Sequence, residues 1–206
     1  MKEWMILLKE LKIQYQLKLI KMVDNEIREV LCNYIDERFD KVRIMDEFVV
    51  GKSRADIVTV TNRLTGYEIK GDTDTYTRLP LQIKEYNRCF QENYLVVGKS
   101  HKKSAEKHIP KNWGILCVSI SHDCPNIEIL RVAEVSEKNS IIKSQLGLLW
   151  RNELVNILKR NGLKKCAGKT KSFIRRFLWM NVLPERLQEQ ICDELFERDW
   201  TVFNKG

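Results

Sequence analysis

No C-x-x-C pair occurs among the six cysteines of this 206-residue chain, and only three histidines accompany them. A structural zinc site needs four well-placed ligands, and the nearest grouping, Cys117, His122 and Cys124, falls short of that. The cysteines read instead as reduced residues of a cytoplasmic core. There is also no acidic tail and no Ser/Gly-rich tract, which argues for a mainly folded chain. Long apolar runs are missing too. The stretch Trp4-Met5-Ile6-Leu7-Leu8 is too short to span a bilayer, is crowded by Lys2, Glu3, Lys9, Glu10 and Lys12, and precedes no small-residue cleavage site. The expectation is a cytoplasmic protein with no membrane segment and no export signal.

What is present is a hydrophobic fraction of 43%. That is enough for one domain with a real core, or for one domain and a small appendage. The formal net charge is +8, and residues 136–206, with fourteen Lys/Arg and eight Asp/Glu, hold +6 of it. Between Lys159 and Arg176 stand Lys159, Arg160, Lys164, Lys165, Lys169, Lys171, Arg175 and Arg176 without a single acid. Such a cluster attracts polyanions and releases their counterions, so this segment points to nucleic acid. An unpartnered solvated face is the plainer alternative.

Residues 3–21 and 24–39 read as helices, the second with Ile27, Val30, Leu31, Tyr34 and Ile35 at helical spacing and Asp24 as its cap. Val42 to Val50 reads as a strand, Gly51-Lys52-Ser53 as a turn, and 54–60 and 66–70 as a hairpin around a five-residue turn. After a polar loop at 71–75, Thr77 is expected to cap a helix carrying Pro80 in its first turn and ending near Gln91. Strands are expected at 93–98, 114–120 and 127–132, with a short helix at 104–108. Beyond about Glu137 the pattern is helical only. Leu146, Leu149, Leu154, Ile157 and Leu158 line one stretch that Gly162 ends, and Trp150, Trp179 and Trp200 read as core of this bundle in preference to base-stacking platforms. The expected organisation is an α/β domain over 1–136, with a mixed central sheet flanked by helices, and a basic helical domain over 137–206.

The chemistry gathers in the hairpin. Side chains alternate along a strand, so Glu68 and Lys70 share a face. If Val58 pairs with Glu68, Asp56 lies opposite Lys70 on that same face, and a slip of one residue would remove it. Two carboxylates are a fit donor set for Mg²⁺, which completes its shell with water and phosphate. Lys70 beside them would orient or deprotonate a water. On spacing alone, an ordinary strand pair with a surface ion pair explains these residues as well.

Arg54-Ala55-Asp56-Ile57, then Gly66-Tyr67-Glu68-Ile69-Lys70, then Gln82 and Tyr86 on the next helix, resembles the PD-(D/E)XK nuclease superfamily, in its RecB-like branch with a Q-x-x-x-Y helix. The stretch Gly66 to Tyr86, with Asp72, Asp74 and Arg78-Leu79-Pro80, is similar to small bacterial and phage members. The resemblance covers about residues 24–120 and implies a restriction-endonuclease-like core, with Asp56 and Glu68 as Mg²⁺ ligands (Mn²⁺ substituting). It implies Lys70 as the water-activating group and Gln82 and Tyr86 as further site residues. It also implies an upstream acid, with Glu47 favoured over Glu26 and Glu29. No Pro precedes Asp56, where Ala55 stands. Asp72 and Asp74 read equally as site acids or turn formers, and Lys52 and Arg54 as phosphate contacts or turn flanks.

Residues 154–163 and 171–177 resemble the helix–loop–helix of SAP-type DNA-binding modules, with Lys164, Lys165, Lys169, Lys171 and Arg175 offered to phosphates. A helical appendage packed on the domain is the alternative. The combined expectation is a metal-dependent nuclease acting on nucleic acid, DNA first. A non-cutting binding module and an interaction protein that recruits another enzyme stand as alternatives. DNA versus RNA, strandedness and a repair, restriction or phage role are open, as is the oligomeric state, a homodimer being usual for a double-strand cutter of this type.

Overall fold

The structure, a computed structural model, describes residues 21–121 and 124–199. The helix expected at 3–21, His122 and Trp200 lie outside the described residues, apart from Lys21. The elements in chain order are α1 (Asp24–Arg38), β1 (Arg43–Val50), β2 (Ser53–Val60), β3 (Leu64–Lys70), α2 (Leu79–Cys89), β4 (Glu92–Gly98), β5 (Gly114–Ser121), β6 (Cys124–Arg131), α3 (Asn139–Gln145), α4 (Arg151–Arg160), α5 (Lys171–Asn181) and α6 (Pro184–Phe196). The class is mixed α/β: a six-stranded mixed sheet flanked by helices, followed by C-terminal helices.

The strands lie in the order β1-β2-β3-β4-β5-β6. The pairs β1–β2, β2–β3 and β5–β6 are antiparallel, and β3–β4 and β4–β5 are parallel. Parallel neighbours need a crossover, and α2 provides the one between β3 and β4. All seven residues of β3 are buried, as expected of a central strand covered on both faces.

One face packs against α1, where Ile27, Leu31 and Ile35 meet Ile57, Tyr67, Ile69, Val96 and Val118. The other face packs against α2 and the C-terminal helices in a single cluster, from Phe48, Val58 and Tyr86 through Leu149, Ile157 and Leu178 to Ile191 and Leu195. Polar ties reinforce that junction. Gln145 donates to the Cys89 carbonyl at 2.7 Å and to Gln91 at 2.8 Å.

Several boundaries move from their expected places. Asp24 is the first residue of α1 rather than its cap, and Glu26 accepts the free Val23 N–H at 3.0 Å. Arg78, not Thr77, precedes α2, and the helix ends at Cys89. The hairpin loop spans 61–63, because Leu64 and Thr65 are already paired with Val60 and Thr59. The stretch around Leu146–Leu158 is broken, since α3 stops at Gln145 and α4 begins at Arg151. Trp150 and Trp179 are half-buried, Trp179 packing against the core cluster as expected; the indole that is fully buried among the described residues is Trp113, whose Nε1 donates to Asn87 at 2.8 Å.

Two glycines are fixed by geometry. Gly51 opens the two-residue β1–β2 turn at φ 57°, the only residue of that turn in the left-handed region, as a II′ hairpin requires. Gly66 sits in mid-β3, where a Cβ would come within 2.4 Å of the Phe90 ring. Its bareness lets the end of α2 lie directly on the strand.

Candidate active site

The β2–β3 ladder sets the site. Val58 pairs with Gly66 and Ile57 with Tyr67, so Asp56 and Glu68 come next in register. The expected pairing of Val58 with Glu68 is thus wrong by two positions, because the loop is three residues long rather than five. An even shift preserves the face, so Asp56 stays with Glu68, facing it instead of Lys70.

Strand alternation breaks beside Asp56. Met45 and Phe48, three residues apart on β1, both enter the core under α2, as do their partners Val58 and Ala55. Between those pairs lies Glu47 at φ 50°, a left-handed backbone that a non-glycine residue rarely adopts. Past Ile57 the ladder gives way to a side chain, and Asp56 Oδ2 accepts the Ile69 N–H at 2.7 Å.

Glu68 is fully buried and held from three sides. Lys70 Nζ donates to its Oε1 at 2.5 Å, Gln82 Nε2 donates to the same oxygen, and Tyr86 OH donates to Oε2 at 2.8 Å. Gln82 and Tyr86 are one helical turn apart, so α2 presents both to the strand. Tyr86 has no exposed surface and so fixes Glu68 from inside, out of reach of a nucleic-acid backbone. Burial, with the adjacent Glu68 and Asp56 carboxylates, drives its phenol well above the ordinary range.

The electrostatics mark the acid pair. Burial first, and then the Glu68 carboxylate, push the Asp56 carboxyl up to about 7, against the opposing Ile69 N–H and Lys70 charge. Arg28 on α1 approaches from the other face. It donates to the Asp56 carbonyl at 2.7 Å and stands 3.8 Å from Asp56 Oδ1, while also pairing with Asp24, Asp46 and Glu47. Burial disfavours its charge, but hydrogen bonds to Asp46 and Asp24 prevail and raise its pKa.

These groups line a cleft of about 990 Å³ at the end of the sheet. Asp56, Glu68, Lys70, Gln82, Glu47, Lys52, Arg54 and Asp74 are all brought to it; Tyr86 lies behind it. Glu47 is held there by Arg28 at 2.9 Å and by Arg54. Of the competing acids, Glu26 is engaged in capping α1, and Glu29 is exposed and not part of the lining. Asp74 accepts the Gly71 N–H at 2.8 Å, which is turn chemistry at the cleft wall. Asp72 is structural, accepting the Met22 and Ser100 amides at 2.8 and 2.7 Å, which lower its pKa against the effect of burial.

Asp24, Arg28 and Arg78 also line the cleft. The sequence points to Asp24 only as a cap and to Arg78 only as part of the family resemblance, and Arg28 goes unmarked. The available signal was the Asp24/Arg28 spacing of four on a helix leading into the hairpin.

Among the described residues no group of three or more His, Cys, Asp or Glu side chains could hold a metal ion. Cys117 is buried and Cys124 exposed, and all six cysteines are free. The two acids of the cleft that act most directly on one another are Asp56 and Glu68. Mg²⁺ commonly takes one or two carboxylates and fills its remaining positions with water and phosphate, so the pair fits that ion.

Of the tail cations, Lys164, Lys169 and Lys171 are exposed and Arg175 is half-buried; the side chain of Lys165 is outside the description. Arg160 is paired with Asp193 and Glu194 at 2.9 and 2.7 Å. Arg151 donates to the Lys169 and Ala167 carbonyls and so shapes the basic loop.

Fold and site together define a mixed α/β protein with an acid pair and a lysine converging at one end of its sheet. Among the described residues no helix is long and apolar enough to cross a membrane. The chain belongs to the bacteriophage P4 protein cII family, which it matches over residues 15–200. It is similar to protein cII of Enterobacteria phage P4, with 23% identity over 145 residues, covering 68% of this chain and 54% of the relative. The chain thus spans about half the length of that curated relative. Among solved structures it is similar to a protein of unknown function from Silicibacter pomeroyi, with 15% identity, a TM-score of 0.36 and coverage of 47% and 62%. It is likewise similar to Pyrococcus furiosus SfsA in complex with Ca²⁺, with 15% identity, a TM-score of 0.32 and coverage of 54% and 63%.

Proposed function

We propose that this chain is a metal-dependent nuclease of the PD-(D/E)XK type that hydrolyses phosphodiester bonds in DNA. One observation carries the reading: Asp56 and Glu68, next in register on adjacent strands, share a cleft with Lys70 and leave Asp56 elevated to about 7. Paired carboxylates that burial and mutual repulsion perturb in a cleft are a mark of functional sites. Mg²⁺ held by the two acids would acidify a water and stabilise the charge that builds on phosphorus.

The protein's own groups supply the rest. Lys70 sits on Glu68 at the cleft, where its ammonium orients the attacking water. Gln82 and Tyr86 lock the Glu68 carboxylate in one rotamer, so the donor pair is preorganised. Five acids and five cations line the cleft, so its walls are near neutral. Two charges added by a divalent ion tip that balance towards a phosphodiester. Lys52 and Arg78 stand at the rim as phosphate contacts, with Arg54 available if it leaves Glu47. Lys164, Lys169, Lys171 and Arg175 of the tail add further phosphate contacts that hold a backbone without reading sequence.

The test is cleavage of labelled single- and double-stranded DNA, and of RNA, by the full chain in Mg²⁺ and in EDTA. Asp56→Ala and Lys70→Ala serve as controls. Cutting in Mg²⁺ that both substitutions abolish supports the reading. Absence of cutting on every substrate, or cutting that survives Asp56→Ala, rejects it in favour of a binding protein.

A further inference from the structure

The C-terminal helices carry a second concavity of about 400 Å³, between α3 and α5. On α5, Ser172, Arg175, Arg176 and Trp179 fall at i, i+3, i+4 and i+7 and therefore form one stripe. Lys143 faces them from α3. No acid lines this groove among the described residues. α5 buries Ile174 and Leu178 in the core and packs Phe177 and Trp179 partly against it, so packing accounts for part of the Trp179 ring but not for the cations gathered around the groove.

Two details suggest a ligand. Trp179 is half-buried, packed in part against the core, and has the Lys143 ammonium 5.6 Å from its ring centroid. The Nε of Arg175 is buried with no hydrogen-bond partner among the described residues. A buried donor left without an acceptor is costly unless something supplies one. Three cations without an acid call for more than one anionic group, and an indole face beside them calls for a planar group. A polynucleotide strand presents both in alternation. In a duplex the base faces are stacked on one another, so only an unpaired base can reach the ring.

We propose that this groove binds single-stranded nucleic acid, with one base stacked on Trp179 and its flanking phosphates held by Lys143, Arg175 and Arg176. The base takes the place of the Lys143 ammonium over the ring, and that ammonium moves to a phosphate. The site is separate from the acid pair and does not require that the protein cut anything.

The experiment is fluorescence anisotropy with a labelled oligothymidylate and a blunt duplex, using the full chain in EDTA, so that cleavage plays no part. Trp179→Ala is expected to weaken single-strand binding about tenfold, within the range of one lost base stack. It should change duplex binding far less, and Trp179→Phe should recover most of the loss. The double variant Lys143→Ala/Arg176→Ala should weaken binding and flatten its salt dependence by about two charges. Unchanged single-strand affinity in Trp179→Ala, or equal loss on both substrates, overturns the proposal. If circular dichroism shows that Trp179→Ala does not fold, the double variant decides, since both of its residues are exposed. Unaltered affinity and salt slope there overturn the proposal as well.

Discussion

Asp56 and Glu68 stand one position past the last pair of the β2–β3 ladder, Ile57 with Tyr67, and the Asp56 carboxyl takes the Ile69 amide that a backbone carbonyl would otherwise bind. The two acids are therefore set by the strand backbones themselves, with α2 fixing only the second of them. Their closeness, together with burial, has a thermodynamic signature.

Because the Asp56 carboxyl titrates near 7 in the fold and near 3.8 in the free residue, the folded state holds a proton that the unfolded state has released. This contribution is fully present below pH 3.8 and is lost as pH rises through about 7. The gap sets an upper bound of about 4 kcal/mol. Thermal melts without divalent ions should show wild type losing stability between pH 5 and pH 8. Asp56→Asn, which cannot ionise, should lose clearly less over that range. Parallel curves for the two proteins would reject the account.

A divalent ion should reverse that loss. At pH 8 Mg²⁺ or Mn²⁺ should raise the melting temperature of wild type, and an ion at 100 times its Kd gives about 2.7 kcal/mol. Asp56→Asn and Glu68→Gln should respond much less. Equal shifts in all three proteins would place the ion elsewhere.

Removing the phenol of Tyr86 isolates positioning from packing. Tyr86→Phe keeps the ring contacts with Phe90 and Trp113 but deletes the bonds to Glu68 Oε2 and the Tyr67 carbonyl. The expected cost is about 1–3 kcal/mol of stability, from a buried acceptor left unmatched. Any cleavage rate should fall while DNA affinity stays the same, because Tyr86 is wholly enclosed. A change in affinity with an unchanged rate would contradict this role.

Gly51→Ala tests the hairpin that carries Asp56. Its φ of 57° strains any L side chain, and the new Cβ would lie 2.1 Å from Glu85 Oε2. Denaturant melts should show a loss of about 1–2 kcal/mol from the left-handed backbone alone, and more if the buried Glu85 must move. A loss below a few tenths would mean the turn repacks freely.

The sequence makes the acid pair legible through parity rather than through register. The period of two put Asp56 and Glu68 on one face, and an error of two positions in the turn left that result intact. Arg28 was not legible, because its contacts with Asp46, Glu47 and Asp56 depend on how α1 crosses the sheet end, a tertiary fact with no local pattern. Glu47 was picked out as an acid on a strand, but its left-handed φ leaves no mark in residue type. Strand β3 was read from Gly66 onward because Leu64 and Thr65 looked like turn; burial and pairing override that local preference. Trp179 packs against the core as its size leads one to expect, but it stays half-buried, and how much of its ring the interior covers depends on the packing of α5, which leaves no mark in residue type.

The single apolar interior shared by the sheet's underside and the C-terminal helices bears on how this protein can change over generations. A gene shortened to its first 136 codons would yield a sheet whose Phe48, Val58 and Phe90 had lost much of their cover, with Gln91 parted from Gln145 and Gln188. Descendants could not shed the tail without first resurfacing that underside with polar residues. The helices are thus inherited with the sheet as one selectable unit, and substitutions on either side of the seam should be constrained by those on the other.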